Sequence, residues 1–134
     1  MENIKVFIDD YRHPSSKHDT NEGWVVCRSY EEFEKLIDDL LEKKEQWISE
    51  ISFDYALGNW NYNGSDCFKL LARTIKKYGL PIPDKIYVHS EYGNNCIAYF
   101  KSTATSLSLT YDVDVDLIVI GLFGKSRNIV KPFD

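Results

Sequence analysis

The chain of 134 residues has a formal charge of −5, with 43% apolar and 28% charged residues. That size supports one domain with a real core, residues 1–134, and the acidic balance excludes a general DNA binder that works through a basic surface. Cys27, Cys67 and Cys96 are scattered without CxxC spacing, which excludes a disulfide scaffold or zinc site and fits a reducing, cytoplasmic setting.

The apolar, β-branched run Ile4–Ile8 reads as a first strand and stops at Asp9 and Asp10. Because the chain goes straight into this strand, a secretory leader is not expected. Residues 11–23 lack helical periodicity and contain Pro14, Ser15, Ser16 and Gly23. They read as a loop, so the first crossover has no helix. Trp24–Cys27 gives a second short strand, and Ser29 with Glu32 forms a capping box. The helix so opened carries Phe33, Leu36, Ile37, Leu40 and Leu41 on one stripe and extends to near Trp47.

Ile51–Phe53 reads as a third strand ending on Asp54, followed by a loop that holds Gly58 and the Asn63-Gly64 turn signal. Ser65 or Asp66 is expected to cap a second helix, with Phe68, Leu71, Ala72 and Ile75 inward and Gly79 stopping it. Lys85–Val88 is a fourth strand, closing on His89-Ser90, and a third helix spans about Asn95 to Leu107. Leu117–Leu122 reads as a fifth strand; Asn128–Val130 is either a further short strand or loop. The longest apolar run, Leu117–Phe123, is far too short to span a bilayer. The alternation specifies an α/β fold, a three-layer sandwich around a mostly parallel five-stranded sheet.

In such a sheet, ligands bind beyond the carboxyl ends of the strands. The first, third and fourth strands would bring Asp9, Asp10, Asp54, His89 and Ser90 to one edge. Three converging carboxylates suit a hard divalent cation such as Mg2+, which commonly brings a phosphate. Ser90 is a candidate for phosphate oxygens, and His89 for proton transfer near neutral pH. Arg12 is placed either to pair with the acidic pair or to clamp a substrate phosphate. Tyr55, Trp60 and Tyr62 crowd the loop after Asp54. Packing that loop onto the domain accounts for them more readily than stacking on a nucleobase does.

The segments VFIDDYRHP, WVVCRSYEEF, ISFDYALG, NGSDC and YVHS follow one another as they do in the cyclic-phosphate processing receiver domains. The chain resembles that family, often met in phages and bacteria, over roughly residues 4–97. The resemblance implies a receiver-like (flavodoxin-like) fold. It gives Asp9 and Asp10 the metal-binding acidic pair, Asp54 the strand-three role in metal binding and chemistry, and Ser90 the hydroxyl position. The tail VKPFD resembles the receiver lysine–proline motif, which gives Lys131 a phosphate contact. The family typically has histidine and a second aspartate after the strand-three aspartate, and asparagine with a glycine turn after histidine-serine. Here Tyr55 and Ala56 stand in the first place and Glu91, Tyr92, Gly93 and Asn94 in the second. The implied function is recognition or processing of a (cyclic) phosphate on a nucleotide or RNA end, metal-dependent, with degraded phosphoesterase catalysis. The alternative is a non-catalytic, phage-encoded interaction module that binds a nucleotide ligand or a host protein.

Overall fold

The computed structural model describes residues 1–89, 94–121, 124 and 126–133, with 94 and 95 as backbone alone. Six strands form one sheet: β1 (Glu2–Ile8), β2 (Trp24–Cys27), β3 (Gln46–Phe53), β4 (Lys85–Val88), β5 (Leu117–Ile120) and β6 (Arg127–Val130), in the order β2-β1-β3-β4-β5-β6. The first five are mutually parallel, as expected for strands buried without alternation. The sixth strand is an addition to the expected five. The Gly121 N–H donates to the Ser126 carbonyl, and β6 runs antiparallel to β5.

Three helices connect the strands: α1 (Tyr30–Lys43), α2 (Gly64–Tyr78) and α3 (Asn94–Tyr111). The first starts on Ser29, whose hydroxyl accepts the Glu32 N–H, while the Glu32 carboxylate accepts from the N–H of Arg28. It ends at Lys43 rather than near Trp47, because Lys44 turns left-handed (φ 58°) and closes on the Leu40 carbonyl. Trp47 and Ile48 lie seven positions after Leu40 and Leu41, so they continue the helical stripe in sequence while belonging to β3. That strand consequently starts at Gln46 instead of Ile51. Asn63, not Ser65 or Asp66, caps α2; the Asp66 carboxylate returns a bond to the Asn63 N–H. Among the described residues, no helix is long and apolar enough to cross a membrane.

All three helices pack on one face of the sheet. Val6, Ile8, Ile51, Phe53, Ile86 and Val88 share a single core with Phe33, Ile37, Phe68, Leu71, Phe100 and Leu107. The physical reason is handedness: the β2–β3, β3–β4 and β4–β5 crossovers advance in one direction along the sheet, so right-handed connections lay their helices on the same side. A helix on the other face would have to come from the β1–β2 crossover, which steps the opposite way, or follow β5. The first holds only a short 3-10 turn, Pro14–Ser16, and the second is replaced by β6. The third layer is therefore the segment 9–23 rather than helix. His18 packs edge-on against Phe7 and lies against Trp24, with ring centroids 6.0 and 4.4 Å apart respectively.

Candidate functional site

Register explains the acidic cluster. Ile8 pairs with Phe53 and with Cys27, so the residues just after β1 and β3 emerge side by side. The N–H of Asp54 donates to the Ile8 carbonyl (2.9 Å), that of Asp9 to the Cys27 carbonyl (3.1 Å), and that of His89 to the Phe53 carbonyl (2.9 Å). Asp9, Asp10 and Asp54 each offer a carboxylate oxygen, and these oxygens lie within 4.8 Å of one another. Asp9 and Asp54 are buried and Asp10 is half-buried. The α2 start closes on the same place. The Gly64 N–H donates to the Tyr55 carbonyl, and a Cβ on Gly64 would stand 1.6 Å from the Asp54 carbonyl oxygen.

The three carboxylates are not equivalent. Asp9 Oδ1 accepts from the N–H groups of Tyr11 and Arg12, while its Oδ2 accepts from Arg12 Nη1 (2.9 Å) and His89 Nε2 (3.0 Å). Burial alone would raise its pKa, but the bonds from His89, Arg12 and Tyr11 outweigh it and hold Asp9 well below the usual carboxylate range. Asp54 is pushed up to about 7, first by burial and then by the neighbouring charge of Asp9, against the pull of Arg12. Arg12 Nη1 stands 3.6 Å from Asp54 Oδ2, so its guanidinium sits between the two buried acids. Of the two roles open to Arg12 in the sequence, the structure displays the pairing one.

An all-oxygen donor set with one carboxylate held near neutral fits a hard cation. The fit is closest at Asp10 and Asp54. The lone pairs of Asp9 are already taken by four donors, and an ion touching its Oδ2 would have to displace Arg12.

His89 meets Asp9 from inside the fold. Its ring is fully buried and stacked on Phe7 with centroids 4.5 Å apart. Nε2 bonds Asp9, and Nδ1 lies 2.7 Å from Ser52 Oγ, which in turn lies 2.9 Å from Nε2 of His18. Burial lowers the His89 pKa against the pull of Asp9, and His18 is pushed down to about 3 by burial and then by nearby positive charge. With both rings neutral the chain of bonds has one consistent set of protons. His89 Nε2–H donates to Asp9, Ser52 Oγ–H donates to His89 Nδ1, and His18 Nε2–H donates to Ser52 Oγ. Both ring nitrogens of His89, the candidate for proton transfer, are thus engaged inside the protein.

Ser52 and His18 escaped the sequence reading. The available signal was a hydroxyl between Ile51 and Phe53 in an otherwise apolar strand. Arg28 was missed as well: its Nη1 donates to the carbonyls of Asp9 and Arg12 and fixes the loop after β1.

Ser90 and the run Glu91 to Gly93 lie outside the described residues. Lys131 is corrected. It follows β6, which runs antiparallel, and pairs at 2.7 Å with Asp116 just before β5. That is the opposite end of the sheet from the acidic cluster. In the loop after β3, Tyr62 stacks on Tyr30 (4.0 Å) and Tyr55 on Tyr99 (5.6 Å), while Leu57 is buried. Trp60 projects with its whole side chain exposed. A Cβ on Gly58 would come within 3.2 Å of Asp10 Oδ2, so this loop borders the cluster. The three cysteines are buried, and burial pushes the Cys27 thiol up to about 12, as for inert core residues.

No curated protein and no solved structure matches the chain. A family model does match, over residues 4–98: the cyclic-phosphate processing receiver domain. The match takes in β1 through the start of α3, with Asp9, Asp10 and Asp54 inside it. The chain belongs to the family of cyclic-phosphate processing receiver domains.

Proposed function

We propose that the acidic edge holds a divalent cation, Mg2+ in the first instance, and through it recognises a phosphate on a nucleotide or RNA end. The observation that carries this reading is the convergence of three carboxylate oxygens within 4.8 Å at the ends of two adjacent parallel strands. Asp10 and Asp54 would hold the ion, with Asp9 completing the set as Arg12 moves off it. When bound, the ion supplies charge neutralisation at phosphate oxygens. Arg12 then turns its planar fork toward the phosphate. His89 acts as a positioning residue, orienting Asp9 from behind as the partners of metal ligands do.

Family membership favours a cyclic phosphate as the group recognised. The residues around the cluster favour binding over fast turnover. Tyr55 and Ala56 bring neither imidazole nor carboxylate, the Tyr55 ring stacks away on Tyr99, and His89 is sealed inside. A non-catalytic module is the second reading, and the fully exposed Trp60, on the loop whose Gly58 borders Asp10, supports it.

The test is thermal unfolding with Mg2+, Mn2+ and Ca2+ at millimolar concentration, followed by titration with an RNA oligonucleotide ending in a 2′,3′-cyclic phosphate. A rise in melting temperature with metal, and oligonucleotide binding that requires metal, are expected. Melting curves unmoved by all three ions would overturn the metal site and leave the module reading.

A further inference from the structure

Tyr11 is an exposed aromatic residue tied to the acidic edge. Its N–H donates to Asp9 Oδ1 (3.0 Å), and the next N–H, of Arg12, donates to the same oxygen (2.8 Å). Arg28 Nη1 bonds the carbonyls of Asp9 and Arg12. The backbone that carries the ring is therefore fixed before any ligand arrives, yet the residue is 63% exposed.

What the ring meets is a cation. Arg12 Cζ lies over it, 4.8 Å from the centroid, and Nη1 of the same guanidinium reaches both Asp9 and Asp54. Ring and carboxylates are thus a guanidinium's width apart. The neighbouring tyrosines are committed to packing, Tyr55 on Tyr99 and Tyr62 on Tyr30. Among the described residues, Tyr11 stacks on no other ring, and no contact ties the Trp60 ring to the acids. Held so far out of the core, the Tyr11 ring adds little to packing. With Arg12 against one face, its exposure falls on the opposite face and edge, a surface on which another π system stacks.

We propose that Tyr11 is the base platform of the acidic edge, stacking the base of the same nucleotide whose phosphate meets the cation. This rests on the reading of the edge as a metal-dependent phosphate site. A base and its phosphate are separated by one ribose, as ring and acids are separated by one guanidinium. Arg12 serves the phosphate, so two adjacent residues of one fixed loop take the two ends of one nucleotide. The ligand class is a terminal nucleoside phosphate recognised as a single nucleotide. Which base it carries matters little, because every base offers a π face. A sugar phosphate without a base would use the cation and leave the ring unused.

The experiment is calorimetric titration, in saturating Mg2+, with adenosine 2′,3′-cyclic phosphate and with methyl riboside 2′,3′-cyclic phosphate, which lacks the base. The wild type should bind the adenosine compound about tenfold or more tighter than the other. Tyr11→Ala should remove most of that preference, and Tyr11→Phe should keep it. Tyr78→Ala should also keep it, since that exposed tyrosine carries Lys77 over its ring at the far end of α2. Equal affinities in the wild type would overturn the platform, as would a Tyr11→Ala protein in which both compounds weaken alike. A preference lost in Trp60→Ala and kept in Tyr11→Ala would assign the base to the other loop and overturn it too. Melting temperatures with and without Mg2+ on the same proteins separate the two possible failures. A wild type that gains stability from Mg2+ without any base preference loses the platform and keeps the metal site, whereas one unmoved by Mg2+ loses both.

Discussion

Arg12 Nη1 stands 2.9 Å from Asp9 Oδ2 and 3.6 Å from Asp54 Oδ2, where an ion shared by those two acids would lie. The side chain does internally what a bound cation would do, offsetting the repulsion of two buried carboxylates. Arg12→Gln should therefore lower the stability of the metal-free protein, by about 1–3 kcal/mol for a charged hydrogen bond lost from a buried acceptor. The same variant should gain more melting temperature from Mg2+ than the wild type, because the ion no longer competes with a guanidinium. Equal gains in the two proteins would show that Arg12 and the metal do not share a position.

Asp54 gives the cluster a pH signature. Its pKa rises from 3.8 to about 7 in the folded chain, so the fold prefers the neutral acid. The associated stability is complete below the unfolded value and is lost as pH rises through the folded one. From about pH 6 to about pH 8 the metal-free protein should lose about 1 kcal/mol, and Asp54→Asn should abolish that loss. His18 works in the opposite sense: with its pKa lowered from 6.5 to about 3, its contribution is present above the unfolded value and lost as pH falls. The two slopes oppose each other between about pH 4 and about pH 6.5, so Asp54→Asn should also make acid destabilisation steeper there. Saturating Mg2+ should reverse the loss near neutrality, with proton release visible by calorimetry in buffers of different ionisation enthalpy.

The sequence made Asp9, Asp10 and Asp54 visible because each ends an apolar run, and parallel topology alone carries the ends of neighbouring strands to one edge. It could not rank the three acids. Their ranking depends on Arg12, His89 and two backbone N–H groups meeting around Asp9 and not around Asp10, and the His89 contact spans 80 positions. The boundary between α1 and β3 was hidden by Trp47 and Ile48, whose spacing continues a helical stripe. Lys131 was misplaced for a topological reason. A motif after the last strand reaches the carboxyl edge only if the chain runs parallel there, and β6 returns it to the other end.

His89 and Ser52 should behave as support for Asp9. His89→Asn removes a buried ring bonded at both nitrogens and should destabilise the fold by about 2–4 kcal/mol. It should also weaken Mg2+ binding by about tenfold or more, the range seen when the partner of a metal ligand is lost. Ser52→Ala, which breaks the link to His18 and leaves the Asp9 contact in place, should weaken Mg2+ binding much less. A larger metal effect from Ser52→Ala than from His89→Asn would contradict the order of the chain.

Gly64 is the position where backbone and cluster meet. Any side chain there would run into the Asp54 carbonyl, since a Cβ would sit 1.6 Å from that oxygen and 2.7 Å from its carbon. The obstacle is backbone, so no rotamer relieves it. Gly64→Ala should either shift the α2 start away from β3 or unfold the chain, with a loss of about 3 kcal/mol or more. Gly79→Ala offers the contrast. It has open space around it and only a left-handed φ of 64°, so its cost should stay near 1 kcal/mol. Equal melting temperatures for the two variants would show that α2 is not held against Asp54.

Turnover is where Tyr55 and Ala56 decide. A tyrosine, with a reference pKa near ~10, is a poor base at neutral pH, and here burial raises it further. Alanine moves no proton, and His89 is enclosed. Wild-type protein should therefore open 2′,3′-cyclic-phosphate RNA ends slowly or not at all, with any residual activity strictly dependent on metal. Tyr55→His together with Ala56→Asp restores the residue types that the family carries after its strand-three aspartate. A proton-transfer group acts mainly in the transition state, so the pair should raise kcat by more than it lowers KM. Ala56→Asp alone adds a carboxylate beside the cluster and should change metal affinity more than rate. Efficient turnover by the wild type would mean that proton transfer is carried by some group other than those around the cluster, and following the rate in Asp10→Asn and Trp60→Ala would then show whether the acidic edge is the site at all.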